Sequence, residues 1–143
     1  MRKDSREVAL RVLYSNSFID QTDPAEEIFS YTQLNEQDKA FCDSLIKTVN
    51  ENKQTLLEEL SEISKNYTID RMFETDKLIL LLAMAEMKFF DDIPPLVTIK
   101  EAMDLSKKYS SEDSVTFING ILAGYKNIME KTNGWNTRWQ GAF

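Results

Sequence analysis

The sequence contains no histidine and a single cysteine, Cys42. The first absence removes Ser-His and Cys-His nucleophile systems and the usual zinc and haem ligand sets. The second excludes an intrachain disulfide and any multi-cysteine zinc site. Glycine (4 residues) and proline (3 residues) are scarce, which argues against a turn-rich β fold. No glycine-rich phosphate loop or carboxylate constellation is visible, so neither an enzyme nor a cofactor is expected. The longest apolar run, Leu78 to Ala85, has eight residues, whereas a membrane span needs about 20. The charged start, Met1 to Asp4, does not read as a signal peptide. A reduced, cytoplasmic setting is the economical expectation.

What the chain does have is acid, leucine and length. Asp and Glu outnumber Lys and Arg 24 to 17, for a net charge of −7 over 143 residues. That length suffices for a single domain with a real core. Abundant Leu, Glu, Lys and Met favour helices. The expectation is one compact all-α domain over residues 1–132, followed by a tail, 133–143, in which Trp135, Trp139 and Phe143 recur every four residues.

Apolar spacing places helices along nearly the whole chain. Val8, Ala9, Val12 and Leu13 mark a first helix from Ser5 to Phe18. Asp23 and Pro24 signal the start of a short second one. Asn35 is a cap candidate for a helix carrying Phe41, Leu45, Ile46 and Val49, and Leu56, Leu57, Leu60 and Ile63 mark a fourth, with no strong breaker between the two. Glu74 to Phe90 is apolar on every face and is expected to be the central helix. Pro94 and Pro95 stop it. Ile99 to Tyr109 and Ile118 to Met129 mark the last two helices, and Gly134 closes the series. The Gly120/Gly124 spacing is expected to serve close helix packing.

Chemistry concentrates at few positions. The first helix carries Arg2, Lys3, Arg6 and Arg11, followed by Tyr14. Cations hold phosphates and a ring can stack on a base, although spacing alone favours an ordinary solvated helix end with Tyr14 packed. Phe117, at the edge of a buried stripe, fits either a core or a stacking role. Glu86 is an acid inside an apolar run. It could face a partner or titrate; the rule that buried charges are paired favours an acid held by a hydrogen bond or a cation. Asp76 and Asp113 lie near helix starts, where exposed amides favour an acid.

The stretch from Pro95 to Gly124 resembles the signature of the NusB family of bacterial transcription antitermination factors. Ile99-Lys100-Glu101-Ala102-Met103-Asp104-Leu105-Ser106-Lys107 is similar to the family's "I-N-E-A-hydrophobic-E-L-A-K". Glu112-Asp113-Ser114 and Phe117-Ile118-Asn119-Gly120-Ile121-Leu122 are similar to its "E-D/N-S-x-x-F-hydrophobic-N-G-hydrophobic-L". Arg6-Glu7, Ala9, Leu13 and Tyr14 resemble the family's opening, and Asp76-Lys77 with Ala83-Met84-Ala85-Glu86 its central helix. The resemblance implies about seven helices and a non-enzymatic role: binding the boxA sequence of nascent ribosomal RNA together with NusE, the small-subunit ribosomal protein that doubles as a transcription factor. It places Arg2, Lys3, Arg6, Tyr14 and Phe117 at the RNA surface, and Asp76 and Asp113 at the NusE contact, with Glu86 a third acidic candidate. Lys107 and Lys108 are further phosphate candidates. Family members occur as monomers and as dimers, so a homodimer stays open.

This chain departs from the family pattern in three places. Its basic N-terminus is thin and interrupted by Asp4. Ile79-Leu80-Leu81 stands where many members have V-L-R, which removes one cationic neighbour of Glu86. Lys100 replaces the usual Asn. Net −7 opposes tight RNA binding by this chain alone, because phosphate attraction scales with the cations engaged. A basic partner would supply the remainder, and an acidic body would attract it. The alternative is a protein-only adaptor that binds the ribosomal protein with weak or no RNA binding.

Overall fold

The computed structural model describes residues 2–17, 25–65 and 69–132. They form six α-helices, α1 (Arg2–Ser17), α2 (Ala25–Thr32), α3 (Glu36–Ile63), α4 (Glu74–Phe89), α5 (Pro95–Tyr109) and α6 (Glu112–Thr132), with a 3₁₀ turn at Ile69–Arg71. No strand occurs among the described residues. No helix among them is long and apolar enough to cross a membrane. The expected signals at Asp23-Pro24 and Gly134, and the aromatic tail, lie outside the described residues.

The all-round apolar helix is central, as its sequence requires. Every side chain from Leu78 to Met87 is buried, and α4 packs against α1, α3, α5 and α6. It ends at Phe89, and α5 opens with Pro95 in its first turn, where a missing amide hydrogen costs nothing. Asn35 caps α3 by accepting the Asp38 amide at 2.8 Å. Ser5 Oγ donates to the Asp38 carbonyl at 2.9 Å and fastens α1 to this same turn.

Two expectations need correction. The two helices foreseen between residues 36 and 63 are one, α3, bent at Asn52 (φ −118°, ψ 15°). The Asn52 side-chain amide donates to the Thr48 carbonyl at 2.8 Å, competing with the helical ladder; that kink stands where the extra helix boundary was expected. The Gly120/Gly124 pair does not serve close packing. A Cβ on Gly120 would meet open space, and one on Gly124 would lie at an ordinary 3.7 Å from Ile63 Cγ2. Cys42 is fully buried, and burial, followed by the nearby Asp43 charge, pushes its thiol up to about 11.

Candidate nucleic-acid interface

Glu86 lies near the C-terminal end of α4. Arg6 on α1 reaches it from 80 positions away, donating Nε to Oε2 at 2.8 Å and Nη2 to Oε1 at 2.5 Å. Thr98 Oγ1 on α5 donates to Oε1 at 2.8 Å. Both charged side chains are almost wholly buried, at 8% and 2% exposure. A fork-to-fork pair of this kind consumes the guanidinium's directional donors, so Arg6 is not presented to phosphate and Glu86 is not presented to a partner. The cation lost at Ile79-Leu80-Leu81 is supplied by another helix instead. Arg2, beside this pair, remains exposed. It meets Asp92 Oδ2 at 3.1 Å and lies 4.6 Å above the Phe41 ring, which packs edge-on against Phe90 at 5.6 Å. Lys3 is exposed. An exposed ion pair such as Arg2–Asp92 contributes about 0–1 kcal/mol and is readily exchanged.

The N-terminal end of α4 is built differently. Asp76 is also buried, but it accepts hydroxyl hydrogens from Ser110 and Ser114, each at 2.6 Å. Ser111 Oγ in turn accepts the Ser114 amide at 3.2 Å. Asp76 therefore fixes the turn between α5 and α6 through hydroxyl partners alone. Asp113 is exposed in the first turn of α6. Phe117, one helical turn further on, is half-buried against the core. It shares a surface depression of about 260 Å³ with Arg71, Phe73, Asp76 and Asp113.

The last turn of α5 connects this end to α1. Lys108 Nζ donates to Glu7 Oε1 at 2.5 Å, the Tyr109 hydroxyl donates to the same oxygen, and Arg11 Nε donates to the Tyr109 oxygen at 3.0 Å. Partial burial alone would raise the Glu7 carboxyl, but hydrogen bonds from Lys108 and Tyr109 and the charges of Lys108 and Arg11 outweigh it and hold the group below its ordinary value. The hydrogen bond to Glu7 and its charge raise Lys108. Lys107 is exposed beside it. Tyr14, 39% exposed, follows Arg11 by three positions and so shares its side of α1. Its neighbour Leu13 lines a common cavity with Leu78, which sets this part of α1 alongside the start of α4.

The expected ligand-facing residues thus divide between separate regions. Asp76, Asp113 and Phe117 line one depression at the start of α4; Lys107 and Lys108 lie in the last turn of α5 and Tyr14 near the end of α1. Arg2, Lys3, Arg6 and Glu86 belong to the other end of α4; Asp76 and Glu86 are ten residues apart, about 15 Å along a helix axis. The sequence reading did not single out Arg71, Phe73 or Tyr109. Phe73 occupies the N-cap position of α4 without a side-chain capping bond, where Ser, Thr, Asp or Asn is preferred.

Residues 3–127 match the NusB family. The chain is 36% identical over 137 residues to a transcription antitermination protein NusB of Clostridium botulinum, covering 85% of this chain and 96% of that one. It is 33% identical over 124 residues to the NusB of Methylacidiphilum infernorum, covering 85% and 87%. Among solved structures, T. maritima NusB superposes with a TM-score of 0.79 at 26% identity, over 89% of this chain and 91% of that one. A structure of antitermination factors NusB and NusE in complex with dsRNA superposes with a TM-score of 0.69 at 28% identity, over 88% and 96%. Sequence match, helix order and superposition agree, and the chain belongs to the NusB family.

Proposed function

We propose that this chain is a non-enzymatic transcription antitermination factor of the cytoplasm that binds boxA-type RNA of nascent ribosomal transcripts together with NusE. What supports this reading is that the chain's relatives are antitermination proteins, and that it exposes Tyr14 on α1 and Lys107 and Lys108 on α5, with Phe117 half-buried on α6. In this reading Tyr14 and Phe117 stack on unpaired bases, while Lys107, Lys108, Arg2 and Lys3 position phosphates. Asp113 offers a carboxylate to the basic partner, and Asp76 holds the turn that presents it. Arg6 and Glu86 act at a distance, by fixing α1 on α4 and α5. Residues 1–132 form the binding domain, and 133–143 a tail.

The acidic body explains why a pair of proteins is needed. Its net charge of −7 repels phosphate at long range, and a basic companion reverses that sign locally. Structural kinship extends to a NusB–NusE complex with dsRNA. Stacking on Tyr14 and Phe117 calls for bases free of a duplex, so single-stranded RNA should compete better than its duplex.

The test is a titration of boxA-type RNA, single-stranded and duplex, with and without NusE, at several salt concentrations. Phe117→Ala should weaken binding by about 1–3 kcal/mol, the usual worth of a base–aromatic stack, with the fold kept. Unchanged affinity together with a lowered melting temperature would return Phe117 to the core. The withdrawal of Arg6 into a buried pair favours one rival, a protein-only adaptor. NusE binding without RNA retention in any lane would establish that rival.

A further inference from the structure

Phe73 is the most exposed large apolar side chain among the described residues, at 71%. A single exposed ring is ordinary. This one, however, stands at the rim of the depression that also holds Phe117, and Arg71, exposed in the 3₁₀ turn, lines the same depression. Two rings from separate elements and a cation two positions before one of them line a volume of about 260 Å³, together with the carboxylates of Asp76 and Asp113; a planar base can stack on an exposed ring while the adjoining phosphate meets the cation. The walls are held in place. Asp76 ties the 109–114 segment to α4 through two serine hydroxyls, and Met72 N–H bonds to the Ile69 carbonyl at 3.1 Å within the turn that carries Arg71.

We propose that Phe73, Arg71 and Phe117 form a receptor for a single unpaired nucleotide, with Phe73 the outer stacking platform and Arg71 the contact to its phosphate. The inference rests on the RNA reading above and extends it to two residues outside the family signature quoted for this chain. RNA is favoured over a protein side chain because Phe73 is 71% exposed and Arg71 lines the same depression. An extended polynucleotide supplies both a flat π-face and a phosphate within one residue's reach.

The experiment is an abasic scan. Single-stranded boxA-type RNAs, each lacking one base, are titrated against the full chain with NusE present, using the unaltered protein, Phe73→Ala and Arg71→Gln. Melting curves and NusE affinity are recorded in parallel. Phe73→Ala should weaken intact RNA roughly 5- to 150-fold, the equivalent of about 1–3 kcal/mol, with unchanged melting. At one abasic position the unaltered protein and the variant should bind equally, because the base and the ring are lost as one unit. Arg71→Gln should lower the slope of log affinity against log salt by about 0.7, one single-strand phosphate contact. If the unaltered protein binds RNA and Phe73→Ala binds as tightly, the receptor is refuted while the RNA reading stands. If Phe73→Ala weakens NusE but not RNA, the depression is a protein contact and the receptor is again refuted. If no RNA is retained by the unaltered protein, both readings fall together.

Discussion

Glu86 and Asp76 are carboxylates on the same helix, both buried, yet their partners differ in kind. Glu86 receives a guanidinium and a hydroxyl; its charge is cancelled and the surrounding surface is closed. Asp76 receives two serine hydroxyls; its hydrogen-bonding needs are met without a cation among those two partners. Hydrogen-bond satisfaction and charge neutralisation are separate conditions for burying an acid. The closed end of α4 meets both and serves as a structural clamp. The open end meets only the first, and there Asp76 lines the depression that holds Phe73, Phe117 and Arg71.

The comparison breaks or sharpens under substitution. Arg6→Leu strands a buried carboxylate and should cost about 3–5 kcal/mol of stability, read as a fall in the chemical-denaturation midpoint. Adding Glu86→Leu should restore most of it, since an apolar replacement of a buried pair is often neutral or better. A smaller loss is expected at the open end. Asp76→Ala should cost about 1–3 kcal/mol, the range for unsatisfied hydroxyl partners, and should weaken partner binding by loosening the 109–114 segment. Equal costs at the two ends would erase the distinction between them.

The mildest effect concerns Glu7. Its carboxyl titrates below its ordinary value of 4.5 in the folded protein, so folding stability from this group is fully present above that value. It is lost as pH falls through the lowered folded value. The stability gap between the unaltered protein and Glu7→Gln should therefore be constant near neutrality and close on acidification. A gap that widens toward acid would show that Glu7 is not held by Lys108 and Tyr109.

Much of this molecule was legible in its sequence, because helical periodicity, the Asn35 cap and the Pro94-Pro95 stop are local signals. The burial of Glu86 followed from its apolar neighbours. Its partner did not, because nothing local links positions 6 and 86. For the same reason the sequence places Arg2, Lys3 and Arg6 on one face with Phe117, whereas Arg6 meets Glu86 and Arg2 meets Asp92 at the far end of α4. Asn52 bends α3 through its own side chain, without a proline or glycine to mark the place. Phe73 was silent for another reason. Periodicity identifies what is buried, and a ring left in water between two elements belongs to no stripe.

One short segment carries an implication for how two guests share the surface. Tyr109 is fastened to α1 through Glu7 and Arg11, and its neighbour Ser110 is fastened to α4 through Asp76. If RNA engages Lys108 and a protein partner engages Asp113, as proposed above, both act on this one segment. Thermodynamic reciprocity then fixes the outcome: whatever factor the first arrival imposes on the second, the second imposes in equal measure on the first.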